Sequence, residues 1–397
     1  MVKGKWKRKI YFTGGKVLSV LSRLIPKDPK RVCFFCKSGL DDNSEALFRY
    51  MMEQGYAGPY RIDCVVDDPA QYPQWKNSHV SMMTVRKSLW PLLRSRYLFC
   101  HGEMVAIMPT KKQVSVNYWH GTPLKKINGM MEKLGDYRYD FFTYSTAAAP
   151  AFRKIFAEAF GCREEQVLIN GHPRNDYLFR DSDVLSRFGI RRESFRKIFL
   201  WMPTYRKSRD GFIRDGEQFS DRTGDIPLME RKEDLRELEQ FLGEQHAYLF
   251  LKMHPAQDLS RLDPDLRKFK HICFLTNEDM RRYGVPLYSL VREADALITD
   301  YSSIYFDYLL LDRPIGFILA DLDSYEEHRG FVVENPLDYM PGPKIYEKEE
   351  FFAFLGDVLE ERDEYKSERA RINSQVNYYQ DGQNCERLLR MIHLEKE

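Results

Sequence analysis

No run of this chain reaches the roughly 20 consecutive apolar residues that a membrane-spanning helix needs. The apolar residues near the N-terminus are interrupted by Lys16 and Arg23, and no small-residue cleavage site follows them. No signal peptide is therefore expected, and the chain is expected to stay on the cytoplasmic side. A GxGxxG after a strand-like run and a GxxxxGK[ST] are both missing, which removes support for nicotinamide and P-loop chemistry. The seven cysteines include one CxxC, Cys33 and Cys36, but Phe34 and Phe35 fill it. No second Cys/His pair stands at zinc-site spacing, so reduced core thiols are expected. The net charge is only +2, and no nucleic-acid partner is expected. Three Asp-x-Asp triplets occur, at 181–183, 263–265 and 321–323; with 59 acids in the chain such triplets arise by chance, so neither a metal nor another cofactor is expected.

What is present describes a globular protein. Hydrophobic residues make up 43% and charged residues 30% of 397 residues, enough for two domains with separate cores. The charge is unevenly spread. Residues 1–31 carry ten Lys or Arg against one acid, Asp28, so this segment holds +9 and the remainder −7. An anionic surface is the partner such a segment suits. Within it, Ile10, Val17, Leu18, Leu21, Leu24 and Ile25 fall on one face of a helix over 10–25, with Gly14–Gly15 a weak point. Two readings stand: an interfacial amphipathic helix on a membrane, or a helix packed on the protein's own core.

From residue 31 short apolar runs alternate with helical patterns. The first series of strands is expected at 31–36, 60–66, 80–85, 97–101, 113–118, 141–146 and 166–170, with helices at 43–54, 87–95 and 148–160. The second series has strands at 197–202, 247–253, 272–275, 296–300 and 314–319, with helices at 232–243, 287–294, 303–312 and 348–360. Near-continuous apolar strands alternating with helices imply parallel sheets covered on both faces, and two series imply two doubly wound domains. The polar stretch 172–195 is the expected boundary, and 207–231 reads as a loop near a site.

Ligands of open parallel sheets bind at the carboxyl ends of the strands, so the residues just after each run matter most. Trp119-His120-Gly121-Thr122-Pro123 follows strand 113–118. His120 there suits general-base work, or is a turn histidine bonded to nearby backbone. Gly171-His172-Pro173-Arg174-Asn175 follows strand 166–170 and lines a cleft or forms a structural turn. Pro203-Thr204-Tyr205-Arg206 offers a forked donor for phosphate. Lys252-Met253-His254-Pro255 follows the next strand. Asp300-Tyr301-Ser302-Ser303 leads into a helix through Asp307, where a serine caps the helix and presents a hydroxyl beside free N–H groups.

Taken in order, NYWHGTPLKKI (117–127), GHPRND (171–176), WMPTYR (201–206), KMHP (252–255) and ITDYSSIYFDYLLLDRPIGF (298–317) resemble the CDP-glycerol glycerophosphotransferase family, which includes the teichoic acid primases and polymerases. Tyr325, Arg329-Gly330-Phe331 and Pro341-Gly342-Pro343 extend the match. The segment 277–289 departs from the pattern. The resemblance implies a GT-B fold: α/β, two doubly wound Rossmann-like domains facing a cleft, here with an N-terminal amphipathic helix. It implies His120 as base and Arg206 and His254 as catalytic contacts to the donor phosphates. Ser302, Ser303 and Asp307 are implied as donor-binding residues, and Gly121, Thr122, His172, Arg174, Asn175 and Lys252 lie in the same matching stretches.

The expected organisation is a membrane-contact segment at 1–30, an acceptor-side domain at 31–180 and a donor-binding domain at 181–397. The expected activity is transfer of glycerol phosphate, or a related polyol phosphate, from CDP-glycerol or another CDP-polyol to a lipid-linked glycan acceptor. CMP would be released at the cytoplasmic face of the membrane. Two other readings remain open: a GT-B glycosyltransferase using a sugar nucleotide, and a non-enzymatic membrane scaffold.

Overall fold

The apolar runs become strands because their β-branched and aromatic residues pack well on a pleated surface covered from both sides. The computed structural model describes residues 2–37, 39–102, 105–131, 139–204, 226–229, 231–253, 268–320, 322 and 330–396, with backbone alone for 2–10. The first sheet contains β1 (Asp28–Phe35), β2 (Arg61–Val65), β3 (Val80–Met83), β4 (Ser95–Cys100), β5 (Val114–Asn117), β6 (Tyr144–Ala147) and β7 (Val167–Ile169) in the order β3-β2-β1-β4-β5-β6-β7. The second contains β8 (Lys197–Trp201), β9 (Ala247–Lys252), β10 (Ile272–Leu275), β11 (Ala296–Thr299), β12 (Ile315–Ile318) and β13 (Lys344–Ile345) in the order β10-β9-β8-β11-β12-β13. Neighbouring strands pair in parallel throughout; Val32, for instance, is in register with Ile62 on one side and Tyr97 on the other. In each sheet the order reverses once, between β1 and β4 and between β8 and β11, and such reversals open a crevice at the carboxyl ends.

Among the described residues the α-helices are α1 (Val2–Leu24), α2 (Asp42–Glu53), α3 (Leu89–Arg94), α4 (Arg153–Phe160), α5 (Val184–Arg187), α6 (Lys232–Glu244), α7 (Asn277–Tyr283), α8 (Leu287–Glu293), α9 (Ile304–Tyr308), α10 (Lys348–Leu359), α11 (Lys366–Val376) and α12 (Asn384–Met391). In α7, Thr276 accepts from the Asp279 amide at 3.1 Å while Asp279 accepts from the Thr276 amide at 2.8 Å, a reciprocal cap that sets where the helix starts. Phe34, Phe48 and Phe99 meet in the first core, with Phe34 and Phe99 stacked at 5.0 Å. Truncating such a ring to alanine costs about 3–5 kcal/mol. Trp201, Leu249, Leu251, Leu238 and Phe351 form the second core.

Two compact units result. The first comprises 1–122, 127–179 and 378–397; the second comprises 123–126 and 180–377. The sequence placed 378–397 with the second domain. In the structure α12 instead buries Cys385, Leu388 and Leu389 in the first core beside Leu47 and Phe48. Its start is held by Asp176, which accepts from the amides of Asn384 (2.8 Å) and Cys385 (2.9 Å). A carboxylate at a helix N-terminus is favourable. Segment 123–126 joins the second unit because Val332 donates its amide to the Leu124 carbonyl and the Lys126 amide donates to Gly330.

α1 presents two different stripes. Gly15, Ser19 and Ser22, spaced at i, i+4 and i+7, are buried. A Cβ on Gly15 would fall 1.8 Å from the Ala106 carbonyl oxygen, so only glycine fits that approach. The Met108 amide donates to Ser19 Oγ at 2.9 Å, and Phe12 stacks on Phe141 at 5.6 Å. Gly15, expected as a weak point, is thus a packing contact. The other stripe, Val17, Val20, Leu21 and Leu24, is exposed by 57%, 59%, 47% and 78%. Leu18 and Ile25, expected on the apolar face, are half-buried. Among the described residues, no helix is long and apolar enough to cross a membrane.

Candidate active site

In the first unit the polar strand ends converge. α2 follows β1 and opens with Asp42 in the left-handed region, φ 52°. Its second residue, Asn43, donates to the Trp119 carbonyl at 3.3 Å and accepts from the Arg174 amide at 3.2 Å. One buried amide therefore ties the turn after β5 to the turn after β7. Arg174 Nη1 donates to both oxygens of Asp42 at 2.7 Å and to the His120 carbonyl at 3.0 Å. Burial pushes the Asp42 carboxyl up, but Arg174 and the neighbouring His101 and His120 outweigh it and hold it below its ordinary value.

His101 follows β4, at the strand-order reversal beside β1. It is 9% exposed, and burial pulls its ring down to about 3 against the opposing pull of Asp42. His120 is exposed on one side. Its ring lies edge-on to His101 at 4.7 Å and tilts against Trp119 at 4.7 Å. It also lies over Gly102, which has φ 63° and where a Cβ would stand 2.1 Å from His120 Nε2. Gly121, at φ 118°, allows the turn that follows. Thr122 Oγ1 meets His172 Nε2 at 3.2 Å, and the Asn175 amide donates to the His172 carbonyl.

The sequence-expected residues His120, Gly121, Thr122, His172, Arg174 and Asn175 are thus gathered in one place. Asp42, Asn43 and His101 were not expected there. His101 stands directly at a strand end, the signal that singled out His120. Asp42 opens a helix six residues past the end of the first strand-like run, 31–36.

In the second unit the reversal joins the ends of β8 and β11. The Thr204 amide donates to Asp300 Oδ2 at 2.7 Å, and its hydroxyl donates to Oδ1. Lys252, at the end of β9, is buried and donates to Asn277 Oδ1 at 2.6 Å. Ser302 and Ser303 are half-buried ahead of α9. Ser303 occupies the cap position without a side-chain cap hydrogen bond, unlike the sequence expectation, because its backbone is already helical (φ −64°, ψ −9°). Asp307 is fully buried and accepts from the Tyr288 hydroxyl at 2.6 Å. Arg206 and His254 lie outside the described residues, as do most of the expected loop 207–231 and Asp321. No group of three or more metal-ligating side chains occurs among the described residues.

The model of the family described as CDP-glycerol:poly(glycerophosphate) glycerophosphotransferase matches residues 17–394. The chain is 27% identical over 373 residues to the teichoic acid poly(glycerol phosphate) polymerase of Bacillus subtilis (strain 168); the match covers 87% of this chain and 46% of that protein. It therefore spans under half the length of that relative. It is 30% identical over 296 residues to the teichoic acid glycerol-phosphate transferase of Staphylococcus aureus (strain NCTC 8325 / PS 47), covering 69% of each. Among solved structures, a variant of the wall teichoic acid polymerase TagF superposes with a TM-score of 0.74 at 21% identity, covering 98% of this chain and 97% of that one. At that identity the likeness speaks for the fold, two doubly wound units of the GT-B type.

Proposed function

Since the chain belongs to the CDP-glycerol:poly(glycerophosphate) glycerophosphotransferase family, we propose that it transfers glycerol phosphate from CDP-glycerol to the hydroxyl of a lipid-linked acceptor in teichoic acid synthesis. The acceptor oxygen forms a bond to the glycerol-bearing phosphorus, the bond from that phosphorus to CMP breaks, and CMP leaves with the electron pair. Catalysis of this kind rests on positioning and charge stabilisation. The observation that carries the reading is the His120 turn. An exposed imidazole is held at the carboxyl edge of a parallel sheet by Arg174, His101 and Trp119. In the second unit, Ser302, Ser303 and Lys252 stand at strand ends, and Arg206 and His254 follow strands in the sequence. We assign these residues to the donor diphosphate. The sequence expects His120 to take the hydroxyl proton, a task that needs a bare Nε2.

We place the enzyme on the cytoplasmic face of the membrane, lying on it through α1. The exposed stripe Val17, Val20, Leu21 and Leu24 supports this, as does the surplus of basic residues in 1–31. The decisive experiment incubates the chain with CDP-glycerol, CDP-ribitol or a sugar nucleotide and lipid-linked acceptors in vesicles, and determines product masses. The expected result is CMP release with an acceptor heavier by one or more glycerol phosphate units. Addition of a sugar alone would overturn the reading.

A further inference from the structure

One ring nitrogen in the first unit has two neighbours. His101 Nε2 lies 3.0 Å from His120 Nδ1 and 3.3 Å from Asp42 Oδ2. Asp42 is held ionised, with Arg174 on both oxygens. A lone pair at His101 Nε2 would face that negative charge, whereas an N–H there is attracted to it. His101 is neutral near pH 7 because burial disfavours its cation, so it carries a single ring proton. That proton belongs on Nε2. The other nitrogen, Nδ1, has no hydrogen-bond partner among the described residues. Left bare, it is an unused acceptor; protonated, it would be an orphaned buried N–H, the rarer and costlier case. The charged and titratable groups around the pair are Asp42, Arg174 and His172, and their arrangement agrees with this assignment.

His120 Nδ1 therefore meets an N–H and accepts from it, which leaves the proton of neutral His120 on Nε2. We infer that Asp42 and His101 are positioning residues that hold His120 in its Nε2–H tautomer, so that His120 acts as a hydrogen-bond donor to the transferring phosphoryl group rather than as the base the sequence expects. This rests on the reading that His120 faces the reacting groups. The chemistry tolerates it. In a loose phosphoryl-transfer transition state the nucleophile is little deprotonated, and charge gathers on the phosphoryl oxygens, where a donor acts best. The acceptor's proton passes to water, which reaches the exposed His120 turn, and CMP leaves as a phosphate monoester that needs no proton.

The test is nitrogen NMR of the full chain carrying 15N-labelled histidine, with the His120 signals assigned by their loss in His120→Asn. The expected spectrum near pH 7.5 gives a bare Nδ1 and a protonated Nε2; a protonated Nδ1 overturns the inference. In His101→Phe the donor to Nδ1 is gone, and the Nδ1 signal should move toward the protonated position. An unmoved signal in the folded variant would show that His101 does not set the tautomer. If that variant does not fold, the spectrum of the native chain still decides. The pH profile gives an independent reading. A base at His120 makes kcat/KM fall tenfold per pH unit below its pKa, whereas a donor keeps working when protonated, so a flat profile from about pH 7.5 to 5.5 is expected. The NMR needs no turnover. Failure of the chain to release CMP from any CDP-polyol would sink the proposed reaction while leaving the tautomer assignment standing.

Discussion

Leu21 and Leu24 of α1 are 47% and 78% exposed, yet both are large and apolar. Replacing both with glutamine leaves helix propensity nearly unchanged, because leucine and glutamine are comparable helix formers. The packed stripe of Gly15, Ser19 and Ser22 is untouched. The exposed portions amount to a little more than one whole leucine. Full burial of such a side chain is worth up to about 3 kcal/mol, so the double variant should lose about 3 kcal/mol of membrane affinity, roughly 100-fold in partition. Co-sedimentation with anionic vesicles reads this directly. Salt separates the two contributions, since it screens the basic residues but not the apolar stripe. Wild-type protein should therefore keep part of its binding at about 0.5 M salt, where the Debye length is only a few ångströms, and the double variant should keep almost none. Thermal midpoints should agree, because both side chains point to solvent. Equal partition of the two proteins at every salt concentration would refute the assignment of this stripe to the bilayer.

Other outcomes follow from the two units. His120→Ala should lower turnover about 100-fold, the usual cost of removing a donor to developing charge, with donor affinity little changed in calorimetry; near-normal turnover would remove His120 from the reaction. Arg206→Ala and Ser302→Ala should weaken CDP-glycerol binding or turnover, and unchanged values for both would mean that the donor phosphates bind elsewhere. His101 has a folded-state pKa of about 3 against an unfolded value near 6.5. The unfolded chain therefore binds the extra proton first, and stability is full above about pH 6.5 and falls progressively as pH drops toward 3. Between pH 7 and pH 5 this amounts to about 2 kcal/mol. Denaturant unfolding should find that part of the loss in the native chain and not in His101→Phe.

Strands β1 to β12 fall on the expected runs; the clearest, such as Val32–Phe35 and Ala296–Ile298, are apolar and buried, whereas β6 (Tyr144–Ala147) is more polar. The two-residue β13 is too short to leave a pattern. α11 was missed because its sequence, KSERARINSQV, buries only Arg369, Ile372 and Val376. α12 was missed because its place depends on Asp176, more than 200 residues upstream. The site divides in the same way. His120, Thr122, His172 and Arg174 belong to runs that follow strands and are visible locally. Asp42 and His101 become neighbours only because the strand order reverses between β1 and β4, and no local pattern encodes that reversal. Ser303 misled for the opposite reason. A serine before a helix suggests a cap, but a helical backbone at that residue turns its hydroxyl away from the role.

The return of α12 to the first unit has a consequence for how the molecule is made. Leu388, Leu389, Ile392 and Leu394 complete the core around Phe48 and Val32. On the ribosome those leucines emerge about 200 residues after β7. At roughly 5–20 residues per second that interval lasts on the order of 10–40 s. Throughout it the sheet formed first has an uncovered apolar face, while residues 180–377 already contain the strands of β8–β13. The segment made in the middle can therefore mature before the one made at the beginning. A chain ending at residue 377, released from the ribosome, should display a protease-resistant second unit and a cleavable first one.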